Sequence, residues 1–110
     1  MNILNIENLD FSENEEISEI LVEGKHVWIE RIVSKGQTTA SDFWYDQSEN
    51  EFVTVLQGDA KLLIEGEKEI HLHKGDYMLI PAHCRHKVIY TSTVPACIWL
   101  TVFFKNELTC

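Results

Sequence analysis

Five histidines and three cysteines are the side chains in this 110-residue chain best suited to holding a metal or moving a proton. Two of the histidines make its only H-x-H pair, His71-Leu72-His73. Residues i and i+2 of a strand face the same side. Ile70 and Leu72 are the apolar partners of that alternation, so His71 and His73 share the opposite face and are expected at the surface. Cys84 stands between His83 and His86, an arrangement that invites a Cys/His metal site. Zinc spacing of that kind needs a second cysteine pair, which the chain lacks. Cys97, inside an apolar run, reads as a small buried hydrophobe, and Cys110 as a frayed last residue. An odd count and wide separation argue against a disulfide framework.

The elements that must position these groups are short and extended. From His26 onward, Val27, Ile29, Arg31 and Val33 alternate with Trp28, Glu30, Ile32 and Ser34. Both sets hold apolar residues, so both faces of this strand are expected to be partly covered. On the first phase Arg31 would point inward, and a buried guanidinium needs an anionic partner. Glu51, a substrate carboxylate or a rim salt bridge would each serve. Phe52–Leu56 is apolar and β-branched and closes at Gly58-Asp59. Ala60–Glu65 and Lys68–Leu72 flank Gly66-Glu67, a hairpin signal. Tyr77–Ile80 follows the turn at Lys74-Gly75-Asp76 and stops at Pro81; His86–Tyr90 and Cys97–Phe104 are the last strands. Strands of about four to eight residues between closely spaced turn signals argue for a sandwich or barrel.

Residues 1–25 read in two ways. Ser12 with Glu15 is a capping-box pattern, and Ile17, Ile20 and Leu21 follow at helical spacing. Alternatively, Ser18–Val22 pairs with the next strand through a turn at Glu23-Gly24-Lys25, the reading favoured here.

The formal net charge is −9, with nine Lys and Arg scattered among eighteen acids. No basic stripe exists to displace counterions from a phosphate backbone, so nucleic-acid binding is not expected. No apolar run approaches the roughly 20 residues of a membrane span. Met1-Asn2-Ile3-Leu4 lacks the basic and apolar blocks of a secretory signal, and the expected compartment is the cytoplasm.

Two segments resemble the motifs of the cupin superfamily. Glu51, six residues and Gly58 fit the second half of its first motif, G-x5-H-x-H-x3,4-E-x6-G. Gly75-Asp-Tyr-Met-Leu-Ile-Pro81 fits the start of its second, G-x5-P-x-G-x2-H-x3-N, and His86 falls on that motif's histidine. The resemblance spans roughly residues 26–104. It implies an all-β, double-stranded β-helix (jelly-roll) barrel, with 1–25 as an N-terminal extension and 105–110 as a tail. Gly58 and Gly75 would permit turns that a Cβ hinders.

The departures fall at the site. Tyr45 and Gln47 occupy the two histidine positions of the first motif, His83 stands at the second-motif glycine, and Tyr90 at its asparagine. By this resemblance Gln47, Glu51 and His86 are the candidate metal ligands, for a divalent ion such as Zn, Fe, Ni or Mn. Tyr45 and His83 are the candidate acid/base residues. Phe43 and Trp44 could shape the pocket mouth; Trp28, Trp44 and Trp99 read as core or pocket wall. The implied activity is metal-dependent isomerase, lyase or dioxygenase chemistry on a small polar metabolite. One alternative is a non-catalytic small-ligand sensor. Another is a metal-free epimerase-type enzyme using His83, Tyr45 and Asp46. A homodimer is also implied, and Ile3, Leu4 and Ile6 are apolar enough to add to a partner's sheet edge.

Overall fold

The computed structural model describes residues 1–105, so Cys110 lies outside the described residues. Eight strands carry the fold: β1 (Ile17–Glu23), β2 (Val27–Ser34), β3 (Asn50–Gln57), β4 (Asp59–Ile64), β5 (Glu69–His73), β6 (Tyr77–Ile80), β7 (His86–Thr91) and β8 (Cys97–Phe104). They form a five-stranded sheet in the order β1-β2-β8-β3-β6 and a three-stranded sheet in the order β5-β4-β7. Every pairing between these strands is antiparallel. The capping-box reading of the N-terminal segment is not realised: no helix occurs among the described residues, and β1 pairs with β2 across the turn at residue 24. No described helix is long and apolar enough to cross a membrane.

The sheets meet on a core of Val53, Val55, Ala60, Leu62, Leu72, Ile80, Cys97 and Trp99. Burying each large apolar side chain contributes about 1.5–3 kcal/mol, which is what holds two curved sheets face to face. Burial pushes the Cys97 thiol up to about 12, with Asp59 adding to the effect, so Cys97 packs as an inert hydrophobe. An extra residue at Leu56 bends β3, and one at Ile89, opposite Lys61/Leu62, bends β7.

Gly58 joins the two sheets. Its φ is +74°, and a Cβ there would collide with Ser92 Oγ and come 2.9 Å from the Ala96 carbonyl oxygen. Both the backbone conformation and the close approach demand glycine. Gly75 has φ +89° with open space around it, so only the conformation matters there.

A smaller cluster of Val33, Ala96 and Ile98 lies on the other face of the large sheet, covered by Ile6, Leu9 and Phe11. This cover sets the facing of β2. Glu30 and Ile32 point into the barrel, and Arg31 points out, against the expectation that Arg31 turns inward to Glu51 or a substrate. Arg31 Nε donates to Glu19 Oε1 at 2.8 Å, and Nη1 donates to the Ile3 and Asn5 carbonyls at 3.1 and 2.8 Å. The guanidinium thus clasps the N-terminal segment to the sheet. A partly buried fork needs several acceptors, and this face supplies them.

Candidate functional site

A cavity of about 580 Å³ opens between the sheets. Alternation delivers its walls. β3 contributes Glu51 and Val53, β8 contributes Trp99, Thr101 and Phe103, and β7 contributes His86 and Val88. Glu51 stands opposite Phe103 and Val53 opposite Thr101 in the β3–β8 register. Gln47 and Tyr45 come from the segment before β3. That segment is tied to β7 by two backbone bonds, Tyr45 N–H to His86 O (2.8 Å) and His86 N–H to Tyr45 O (3.1 Å).

At the centre, His86 Nε2 lies 3.6 Å from Glu51 Oε1, within ion-pair range but too long for a hydrogen bond. Both side chains are buried. His86 Nδ1 lies 2.8 Å from the Cys84 carbonyl oxygen, which can only accept. Nδ1 therefore carries the proton, and in the neutral ring Nε2 offers its lone pair to the cavity. Burial disfavours the charged ring, but the Glu51 carboxylate and the Cys84 carbonyl outweigh it and raise the His86 pKa. Gln47 Nε2 donates to Glu51 Oε1 at 3.0 Å. The Tyr45 ring stacks on His86, centroids 5.6 Å apart.

Tyr45 is pushed above an ordinary phenol by burial and by the nearby Glu16 and Glu51 carboxylates, against a smaller opposing bond from Thr39. It stays protonated near neutral pH and can donate a proton but not accept one. His83 is placed differently. Its side chain is 71% exposed, bonds Asp46 Oδ1 at 2.9 Å and does not line the cavity. Its backbone has φ +61°, so the position where the motif carries glycine keeps a left-handed conformation. The Cys84 thiol packs on the core, and burial with Glu67 raises its pKa; it is the Cys84 carbonyl that serves the site. Trp44 stacks under the Lys87 ammonium, 4.3 Å from the ring centre, and does not line the cavity.

Several wall residues were not anticipated. Glu15, Glu16, Ser18 and Glu30 line the cavity with Glu51, and no Lys or Arg does. Burial raises the Glu16 pKa, a Ser34 hydroxyl bond opposes this, and Glu30 adds to the rise. Thr101 is 1% exposed, and its Oγ1 has no partner among the described residues. A polar residue in phase with Trp99 and Phe103 is the signal that could have marked Thr101; the acids from 15 and 16 reach the cavity through a long-range fold with no local signature.

These features fit a metal in part. His86 Nε2 and Glu51 are a matched nitrogen and oxygen donor, with the imidazole fixed from behind as ligating histidines are. No third histidine, cysteine or carboxylate joins them within 4.8 Å among the described residues, so a third protein donor would be the Gln47 amide oxygen. Using it means turning the amide and giving up its bond to Glu51.

Two antiparallel sheets packed face to face, with an inward histidine and carboxylate over the cavity between them, form a double-stranded β-helix. The cupin domain family matches residues 30–103, and the chain belongs to that family. Its structure is similar to that of a Ralstonia eutropha JMP134 protein described as a putative mannose-6-phosphate isomerase: TM-score 0.88, 34% identity, covering 96% of this chain and 97% of that one. An RmlC-like cupin from Methanocaldococcus jannaschii shares the fold at TM-score 0.68 and 16% identity, covering 87% of this chain and 85% of that one. The DMSP lyase DddQ from Ruegeria pomeroyi DSS-3 does so at 0.72 and 15%, covering 90% of this chain and 51% of that one. No curated protein matches the sequence.

Proposed function

We propose that the cavity binds one divalent transition metal through His86 Nε2, Glu51 and Gln47, and beside it a small polar ligand that is neutral or cationic. The reading rests on the facing of His86 Nε2 and Glu51 Oε1 across 3.6 Å, with the other ring nitrogen committed to Cys84. A bound ion would supply Lewis-acid polarisation of a carbonyl or hydroxyl oxygen. Proton transfer belongs to this chain's own groups. Glu16, its pKa raised at the cavity wall, serves as base or acid, and Tyr45 serves as a donor only. Thr101 Oγ1 is an unspent hydrogen-bonding group for the ligand. Isomerase or lyase chemistry, which moves a proton next to a polarised oxygen, suits this set.

The charge of the walls selects the ligand. Among the described residues, four glutamates and no Lys or Arg line the cavity. Arg85 and Lys87 flank His86 in sequence but sit at Trp44, outside it. A phosphate ester would find no Lys or Arg there, and the bound ion alone would have to offset its charge among the glutamates, whatever the R. eutropha protein binds. We also assign a homodimer joined along β1, an edge strand with Ile20, Leu21 and Val22 exposed; light scattering that finds a monomer at micromolar concentration would remove it.

The test uses chelator-stripped, untagged protein reloaded with zinc, nickel, manganese or iron(II), followed by thermal shift with a hexose, its 6-phosphate and an alkyl diamine. The expected result is a metal equivalent lost in His86→Ala, and stabilisation by the hexose or diamine but not by the phosphate. Stabilisation by the phosphate alone would sink the ligand assignment. Full metal retention in both His86→Ala and Glu51→Gln at the cavity would sink the site.

A further inference from the structure

The outer face of the small sheet carries a second group of donors that the cavity does not use. In the β4–β5 pair Asp59 stands opposite His73, and Lys61 opposite His71. Leu62 and Leu72, one step out of phase, are buried in the core. Asp59, His71 and His73 therefore share the solvent side, turned away from the cavity. His71 Nε2 lies 2.8 Å from Asp59 Oδ2. The two imidazole rings sit 3.9 Å apart, tilted by 39°. One ligand atom from each of the three residues falls within 4.8 Å of the other two.

We propose that Asp59, His71 and His73 form a second metal site, on the outside of the barrel, for a divalent ion of the zinc, nickel or copper type. Two imidazoles and one carboxylate are the donor set such ions prefer, whereas magnesium and calcium take oxygen ligands. Donors about 2.0–2.2 Å from a tetrahedral ion stand roughly 3.4 Å from one another. From the present spread, within 4.8 Å, that spacing asks the three side chains to close in by rotation.

The backbone beneath is fixed. Asp59 N–H donates to Ser92 Oγ at 3.1 Å, and Ser92 N–H to Asp59 O at 3.0 Å. His73 N–H donates to Asp76 Oδ2 at 2.7 Å. The Lys61 ammonium leans over the Tyr90 ring on the β7 side, 5.6 Å from its centre, so it does not cap the group. The ion takes the place of the proton between His71 and Asp59. Three protein ligands leave a fourth position for water or an outside donor.

The experiment is calorimetric titration of the untagged, chelator-stripped full chain with zinc chloride. The variants are Asp59→Asn, His71→Ala and His73→Ala, all at solvent-facing positions, with circular dichroism to verify their fold. Each is expected to lose one zinc equivalent or to weaken it by more than about tenfold, since even outer-shell changes cost that much. Unchanged stoichiometry and affinity in all three overturns the proposal, as does a wild type that binds no zinc. If the wild type binds one zinc and His71→Ala abolishes it, the outer site stands and the cavity site falls. If the one zinc disappears in His86→Ala and not in His71→Ala, the reverse holds.

Discussion

Two groups of polar side chains on this barrel are built on opposite principles. Asp59, His71 and His73 lie in the open, and His71 and Asp59 satisfy each other at 2.8 Å. Glu51 and His86 lie buried, fall short of a hydrogen bond at 3.6 Å, and share their cavity with a Thr101 hydroxyl that has no partner among the described residues. Water can substitute for any partner in the first group. In the second, each group depends on its fixed neighbours or on whatever enters the cavity, because a polar atom buried without a partner costs about 1–3 kcal/mol. Buried, incompletely satisfied groups are costs to the fold and assets to a ligand.

The largest expected difference is in stability. In metal-free protein, His86→Ala removes a buried ring that stacks on Tyr45 and faces Glu51, and should cost about 2–3 kcal/mol. His71→Ala should cost less than about 0.5 kcal/mol, as exposed pairs do. Urea unfolding of both variants decides it. Equal costs would mean that the Glu51–His86 arrangement is no more constrained than the surface group.

His83 tests the same contrast through the backbone. It is exposed, yet its φ of +61° lies in the left-handed region that side chains rarely adopt. His83→Val should destabilise by about 1–2 kcal/mol, because a β-branched residue is badly strained there. His83→Gly should not destabilise by more than a few tenths, the strain relief offsetting the added freedom of the unfolded chain. A valine variant as stable as the glycine variant would contradict the strained conformation.

Much of this was legible from residue order, and the reasons for the rest are physical. Turn signals at Gly58-Asp59, Gly66-Glu67 and Gly75-Asp76 mark three strand junctions, because glycine conformation is a local matter. Motif spacing put Glu51 and His86 on strands that face one cavity. Alternation put His71 and His73 on one face, but only the cross-strand register added Asp59. The facing of β2 was not legible: both phases are apolar because a distant segment, Ile6 to Phe11, covers the outside. For the same reason Glu15 and Glu16 gave no sign of reaching the cavity, and for Arg31 the inward reading gives way to the salt-bridge alternative, with Glu19 as partner. Motif spacing placed His83 at a glycine position but did not reveal that its side chain turns to Asp46 and away from the cavity.

A smaller effect is expected at Thr101. Thr101→Val replaces the orphan hydroxyl with a methyl of the same shape. The empty protein should gain about 1 kcal/mol, since a buried unsatisfied group is removed. Any ligand that stabilises the wild type should stabilise this variant less. A loss of stability in the empty protein would show that the hydroxyl already has a partner.

The smallest effect is the pH dependence that Glu16 imposes. Burial and the Glu30 charge raise its folded pKa above the usual 4.5, against the Ser34 bond. The folded chain therefore holds this proton more tightly than the unfolded chain does. What the protonated form contributes is present below the unfolded pKa and is lost as pH rises through the folded one. Glu16→Gln cannot ionise, so its stability relative to wild type should climb as pH rises from the usual 4.5 to the raised folded pKa, and level off above it. Denaturant midpoints of wild type and variant at several pH values give the difference. A Glu16→Gln difference that stays flat or falls with pH would mean that Glu16 ionises as freely as a surface acid, and it would lose its place as the proton-transfer group of the cavity.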